Sequence, residues 1–267
     1  MNAICVTCGT QFAASAEAPP TCPICQDERQ YVNWNGQQWT TLQVLQQERT
    51  NAIRPLEPGL TGICTEPAFA IGQRALLVQT PGGNVLWDCI SLIDQPTIDA
   101  LNALGGVSAI AISHPHFYSS MVEWSRAFAA PIHLHADNRA YVMRPDPAIN
   151  FWDGERLALG DGITLIRCGG HFAGSTVLHW AQGAAGRGAL LTGDTITVAE
   201  DRRFVSFMYS YPNLLPLPAS AVRRIAAAVE PYAIERLYAG WWGKVVDIDA
   251  HAVVARSAQR YIRQITE

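Results

Sequence analysis

Short apolar runs bounded by Gly, Pro and Asn alternate with stretches of helical spacing from residue 60 onward, and this change of period predicts a mixed α/β fold. Strands are expected at 63–69, 75–79 and 85–88, with Pro81-Gly82-Gly83-Asn84 as a turn. A helix at 96–104 closes on Gly105-Gly106, and a buried strand follows at 107–113. Next come a helix at 119–129, a strand at 131–135 and a short helix at 139–143. The second half repeats the theme with strands at 163–168, 176–180, 188–191 and 235–239 and helices at 219–229 and 248–265. Ahead of this body, 31–59 reads as a connector with a helix at 40–49 that Pro55 and Pro58 end.

Three of the predicted strands end in metal-type side chains. The apolar run Ile110-Ala111-Ile112-Ser113 leads into His114-Pro115-His116. On extended backbone the two imidazoles point to one side and can converge on one ion, although an isolated His-x-His also fits a surface turn. The 163–168 strand runs into Gly169-Gly170-His171, and the 188–191 strand into Thr192-Gly193-Asp194. Glycine beside each ligand type lets the backbone turn and aim the side chain. A His-x-His also occurs at His133-Leu134-His135, followed by Ala136-Asp137, but the long buried strand precedes His114, so His114 and His116 are the preferred pair. His179, inside a strand, reads as a packed core histidine, and Asp88 as a turn or outer-shell residue.

The N-terminal 30 residues lack such periodicity and carry instead Cys5-Val6-Thr7-Cys8 and Cys22-Pro23-Ile24-Cys25. Two Cys-x-x-Cys pairs at this spacing predict a four-thiolate site for zinc, with iron as the other candidate. The arrangement resembles rubredoxin-like zinc ribbons. A closed site of this kind is structural, because so short a segment cannot bury enough surface to fold without metal. Among 7 cysteines, an odd number, these four at one end read as metal ligands in a reducing compartment. With 49% hydrophobic and 16% charged residues the chain is globular. Its net charge of −4 gives no attraction to nucleic acid or anionic membrane. No apolar run spans a bilayer, and no signal segment is visible at the N-terminus. A cytoplasmic protein acting on a small molecule is therefore expected, with room for a homo-oligomer.

Residues 60–267 resemble the metallo-β-lactamase fold superfamily. The matching stretches are Ser113-His114-Pro115-His116 for its His-x-His-x-Asp-His loop, Gly170-His171-Phe172-Ala173-Gly174-Ser175 for its Gly-His-x-x-Gly-Ser loop, and Leu191-Thr192-Gly193-Asp194-Thr195 for its Thr-Gly-Asp strand end. The resemblance implies an αββα sandwich, here with the small ribbon module at 1–30. It also implies that His114, His116 and His171 bind the first metal, with Asp194 beside them. The second site is degenerate: Tyr118 and Ser119 stand where the loop's Asp-His would be, and Trp241-Trp242 follow Gly240 where a late histidine is usual. One metal is therefore expected in the sandwich, zinc or iron.

Three imidazoles leave zinc a fourth position for water, whose pKa then lies near ~7. Asp194 is placed to orient that water or accept its proton, and Tyr118 either donates to a developing oxyanion or fills the vacated second site. Trp241 and Trp242, with Phe204, Phe207, Tyr209 and Tyr211, are expected to wall a narrow apolar pocket. The reading is a mononuclear zinc hydrolase for a small ester, thioester or lactone. Two alternatives use the same residues: a two-His-one-carboxylate iron oxygenase of the persulfide-dioxygenase kind, and a metal-binding protein without catalysis.

Overall fold

The computed structural model describes Met1–Glu267, which divide into two compact units. The first comprises Met1–Leu134 and Arg139–Phe151. Its seven-stranded sheet runs in chain order: Thr50–Glu57, Leu60–Glu66, Arg74–Val78, Val85–Trp87, Ala109–Ala111, Ile132–His135 and Ile149–Trp152. The first four strands pair antiparallel, whereas Val85–Trp87, Ala109–Ala111 and Ile132–His135 are parallel. Parallel neighbours need a crossover, and helices Gln95–Ala103 and Met121–Phe128 supply the two. Asp94 caps the first of these by accepting from the Thr97 amide at 3.0 Å. Arg74–Val78 and Val85–Trp87 are buried at every position, so both faces of the sheet are covered there and the sequence reads as apolar runs, not as alternation.

Three expectations change. Helix Leu42–Glu48 forms where it is expected; Thr50–Glu57, assigned from the sequence to the connector, is the edge strand of the sheet. Pro55 is tolerated because an edge strand can lack one ladder donor. The strand expected at 107–113 is confined to Ala109–Ala111, and Ala136–Tyr141 is a 3-10 segment where an α-helix was expected at 139–143.

The second unit comprises His135–Asn138 and Trp152–Glu267. Its six-stranded sheet has the order Arg156–Gly160, Ile163–Arg167, Thr176–Trp180, Ala189–Gly193, Arg236–Ala239, Val245–Val246. All pairs are antiparallel except Ala189–Gly193 with Arg236–Ala239, whose connection contains helix Ala219–Val229. The apolar sides of that helix and of Ala250–Thr266 close the core through Val222, Ile225, Val253 and Val254. His179 is 6% exposed and donates from Nε2 to the Ala233 carbonyl at 2.9 Å, a satisfied core histidine. The sequence pattern did not reveal the hairpin Met208–Ser210 with Leu215–Pro216, whose strands are too short to show a period. No helix is long and apolar enough to cross a membrane.

Candidate metal centres

The four N-terminal cysteines come together. Cys5 ends a two-residue strand paired to Trp39–Thr40, and the Gly9 amide closes the first knuckle onto the Cys5 carbonyl at 2.8 Å. Cys22 precedes a single helical turn, Pro23–Gln26, closed by the Gln26 amide on the Cys22 carbonyl at 3.0 Å. The Cys5 and Cys25 sulfurs lie 3.5 Å apart and those of Cys8 and Cys22 3.7 Å apart, with all four residues at most 2% exposed. A tetrahedron of thiolates about 2.3 Å from one ion has edges of about 3.8 Å, so the donor set fits a zinc-sized ion. The Gln37 side-chain amide donates to the Cys5 sulfur at 3.2 Å, as outer-shell donors to thiolates do. Cys64, Cys89 and Cys168 are single buried thiols away from this group. Burial pushes Cys89 up and Cys168 up to about 12, which leaves both unreactive.

The His114–His116 loop is built from the end of the Ala109–Ala111 strand. Asp88, at φ +63°, accepts the Ser113 amide on its carboxylate at 2.7 Å, and the Cys89 amide donates to the Phe117 carbonyl at 3.3 Å. These bonds fix both ends of the loop, and Asp88 takes the turn position, one of the two parts expected of it. Ser113 Oγ lies 3.0 Å from His114 Nδ1, so Nε2 is the nitrogen of that ring that can ligate an ion. The two imidazole centroids are 5.2 Å apart. Tyr118 is 2% exposed and borders, with Thr10, Gln11 and Ser119, a void of about 10 Å³.

His171 follows the Ile163–Arg167 strand behind two glycines at φ +67° and +82°. Its Nδ1 lies 3.1 Å from the Met208 carbonyl. A carbonyl only accepts, so the proton sits on Nδ1 and Nε2 is the ring nitrogen that can ligate a metal. His171 Nε2 and Asp194 Oδ1 are 3.8 Å apart, within the span of about 4.2 Å that two donors at about 2.1 Å from one ion can have. Tyr211, in the turn of the same Met208–Pro216 hairpin, donates its phenol to the Asp194 carbonyl at 2.6 Å, and its ring centroid is 5.8 Å from that of His171. Burial, then the Asp194 charge, raises the Tyr211 phenol, which keeps it a donor. The sequence placed Tyr211 on a pocket wall; that it pins Asp194 has no local signature.

The ligand atoms of His114, His116, His171 and Asp194 all lie within 4.8 Å of one another, and the four residues are 0–4% exposed. Three imidazoles and a carboxylate form a borderline N/O set suited to zinc or iron. The rival pair is not part of this group. His135 donates from Nε2 to the Gly154 carbonyl at 3.0 Å and accepts the Asp137 amide on Nδ1 at 3.2 Å, so both its nitrogens are engaged. Two aromatic residues expected on a pocket wall lie elsewhere: Phe207 is fully buried among the residues under the terminal helix, and Phe204 is covered by the Arg260 guanidinium at 4.1 Å.

No family model matches the chain. Solved structures with the same fold include the DIM-1 metallo-β-lactamase exposed to ceftazidime, with TM-score 0.61, 13% identity, and coverage of 81% of this chain and 98% of the other. The mono-zinc form of metallo-β-lactamase FIM-1 from Pseudomonas aeruginosa matches with TM-score 0.58, 14% identity, and coverage of 79% and 95%. A metallo-β-lactamase from Cronobacter sakazakii with a HARLDQ motif gives TM-score 0.52 at 18% identity, with coverage of 79% and 93%. Among curated sequences, the uncharacterized protein YmaE of Bacillus subtilis (strain 168) is 54% identical over 264 residues, 98% of this chain and 96% of that one. The chain thus has the metallo-β-lactamase fold with a ribbon-like four-cysteine cluster at its N-terminus, and it belongs to the family of Bacillus subtilis YmaE.

Proposed function

We propose that the chain is a metal-dependent hydrolase with one ion in the histidine site, acting on a small ester, thioester or lactone. The observation that carries this reading is the buried group of His114, His116, His171 and Asp194, together with Tyr118, Ser119 and Trp241 at the positions where the fold's second set of ligands would stand. The mono-zinc form of FIM-1 gives a precedent on the same fold. In this reading His114, His116 and His171 hold the ion through their nitrogens with Asp194 as a further ligand, and the Met208 carbonyl fixes the tautomer of His171. A bound zinc would supply hydroxide at neutral pH by lowering the pKa of a coordinated water to about 7. Asp194 orients the attacking water and accepts its proton, and the Tyr211 phenol keeps the Asp194 backbone in place. Tyr118, buried beside Thr10 and Gln11, serves packing in this reading. Tyr211 and the half-buried Trp241 and Trp242 favour an apolar substrate without large charge. Residues 1–30 form the ribbon module and hold a second, structural ion through Cys5, Cys8, Cys22 and Cys25.

Metal analysis of the purified full chain, paired with a panel of aryl esters, thioesters and lactones, tests the proposal. Two ions per chain are expected, with His171→Ala losing one ion and the hydrolysis together. Three ions in the wild type would overturn the mononuclear reading. Iron in the histidine site with oxygen consumption on a thiol or persulfide, and no ester turnover, would replace hydrolase by oxygenase.

A further inference from the structure

The loop that presents His114 and His116 ends on Ser119, whose φ of +43° is a left-handed conformation that a serine rarely adopts. Something must hold it there, and one of its two partners comes from the cysteine module. The Gln11 amide donates to the Ser119 carbonyl at 3.0 Å, and the Gln73 side-chain amide to its hydroxyl at 3.0 Å. Close by, Ser91 Oγ donates to the Gly9 carbonyl at 2.8 Å. Gly9 has φ +80°, and a Cβ there would sit 2.6 Å from Ser91 Oγ, so this close approach requires glycine. Ser91 lies just beyond Asp88 and Cys89, the residues that fix the other attachments of the histidine loop. Gly9 to Gln11 are themselves the first cysteine knuckle: the Cys5 amide donates to the Thr10 carbonyl at 3.0 Å, and the Cys8 thiol lies 3.4 Å from Thr10 Oγ1.

Tyr118 and Ser119 occupy the positions where a second metal would have drawn its ligands, and these are the residues against which the knuckle docks. We propose that the four-cysteine module is a positioning device for the histidine site. An ion among the cysteines fixes the knuckle, the knuckle fixes Ser119 and Ser91, and these hold His114 and His116 ready to bind. Filling the first site then raises the affinity of the second. Gly9, Gln11, Ser91 and Ser119 are positioning residues, and the inference rests on the reading that His114 and His116 bind an ion.

Cobalt(II) titration of the full-length protein tests this, because thiolate charge-transfer bands report the cysteine site and weaker d–d bands the histidine site. In Cys22→Ser/Cys25→Ser the histidine site should bind cobalt about 10- to 100-fold more weakly, the loss typical when outer support of a metal site is removed. Amide exchange should accelerate at 113–119 while the Thr176–Trp180 and Ala189–Gly193 strands stay protected. Unchanged cobalt affinity with unchanged protection at 113–119 would overturn the proposal. Should the double variant lose protection throughout, Ser91→Ala decides: with all four cysteines and their bands intact, it should still weaken the histidine site severalfold, and wild-type affinity there would refute the coupling. A wild-type protein with no cobalt at the histidines would sink the proposed function as well; two filled but independent sites would sink this inference alone.

Discussion

Replacing Tyr211 by phenylalanine deletes one oxygen from the hairpin that pins Asp194, and the effect on metal affinity can be worked from the geometry. The phenol donates to the Asp194 carbonyl at 2.6 Å, and Asp194 itself is 4% exposed. Removing a buried donor leaves its acceptor desolvated without that bond, at a cost of about 1–3 kcal/mol. Phenylalanine keeps the ring beside His171, so packing changes little. If the bond holds Asp194 equally with and without an ion, the cost falls on folding alone. If it selects the ligand conformation, the cost falls on binding and weakens the ion by about 5- to 150-fold, at about 1.4 kcal/mol per factor of ten. A loss of about tenfold is expected, measured by zinc competition against a chelator on the full chain, with thermal unfolding of the chelated protein in parallel. Affinity within twofold of wild type, together with a lowered melting temperature, would refute the positioning role and leave the bond purely structural.

Two further outcomes follow from the second unit. Gly188→Ala should destabilise by about 3 kcal/mol or more in chemical denaturation, because Gly188 has φ +87° and a Cβ would sit 1.9 Å from the Ala233 carbonyl oxygen; wild-type stability would show that the backbone shifts freely there. His179 is pushed below its ordinary value, mainly by burial. Its unfolded form therefore binds protons that the folded form refuses, so its contribution is present above about pH 6.5 and fades as pH falls. The stability gap between wild type and His179→Gln should accordingly narrow from pH 7.5 to pH 5.5, and a gap that widens would contradict the assignment.

Local chemistry made much of the site legible. The apolar run into His114, the glycines before His171 and Asp194, and the paired Cys-x-x-Cys turns are all features of neighbouring residues. The Thr50–Glu57 strand escaped because an edge strand has little to bury and tolerates Pro55. The hairpin carrying Met208 and Tyr211 escaped because strands of two or three residues have no period to read. His133-Leu134-His135 imitates a metal loop in its letters; chain order already favours His114 and His116, and the bonds of His135 to Gly154 and Asp137 supply the physical reason, a ring with both nitrogens engaged.

The sequence by itself determined which side chains can bind metal and the two donor types, thiolate and imidazole. Those follow from residue identity and short spacing, which folding does not alter. Only the tertiary structure decided what holds the ligands: the Met208 carbonyl on His171, the Tyr211 phenol on Asp194, and the Gln11 amide on Ser119 across 108 residues of chain. Such partners are chosen by where the backbone returns in space, and hydrogen bonds over that separation leave no periodic trace along the chain.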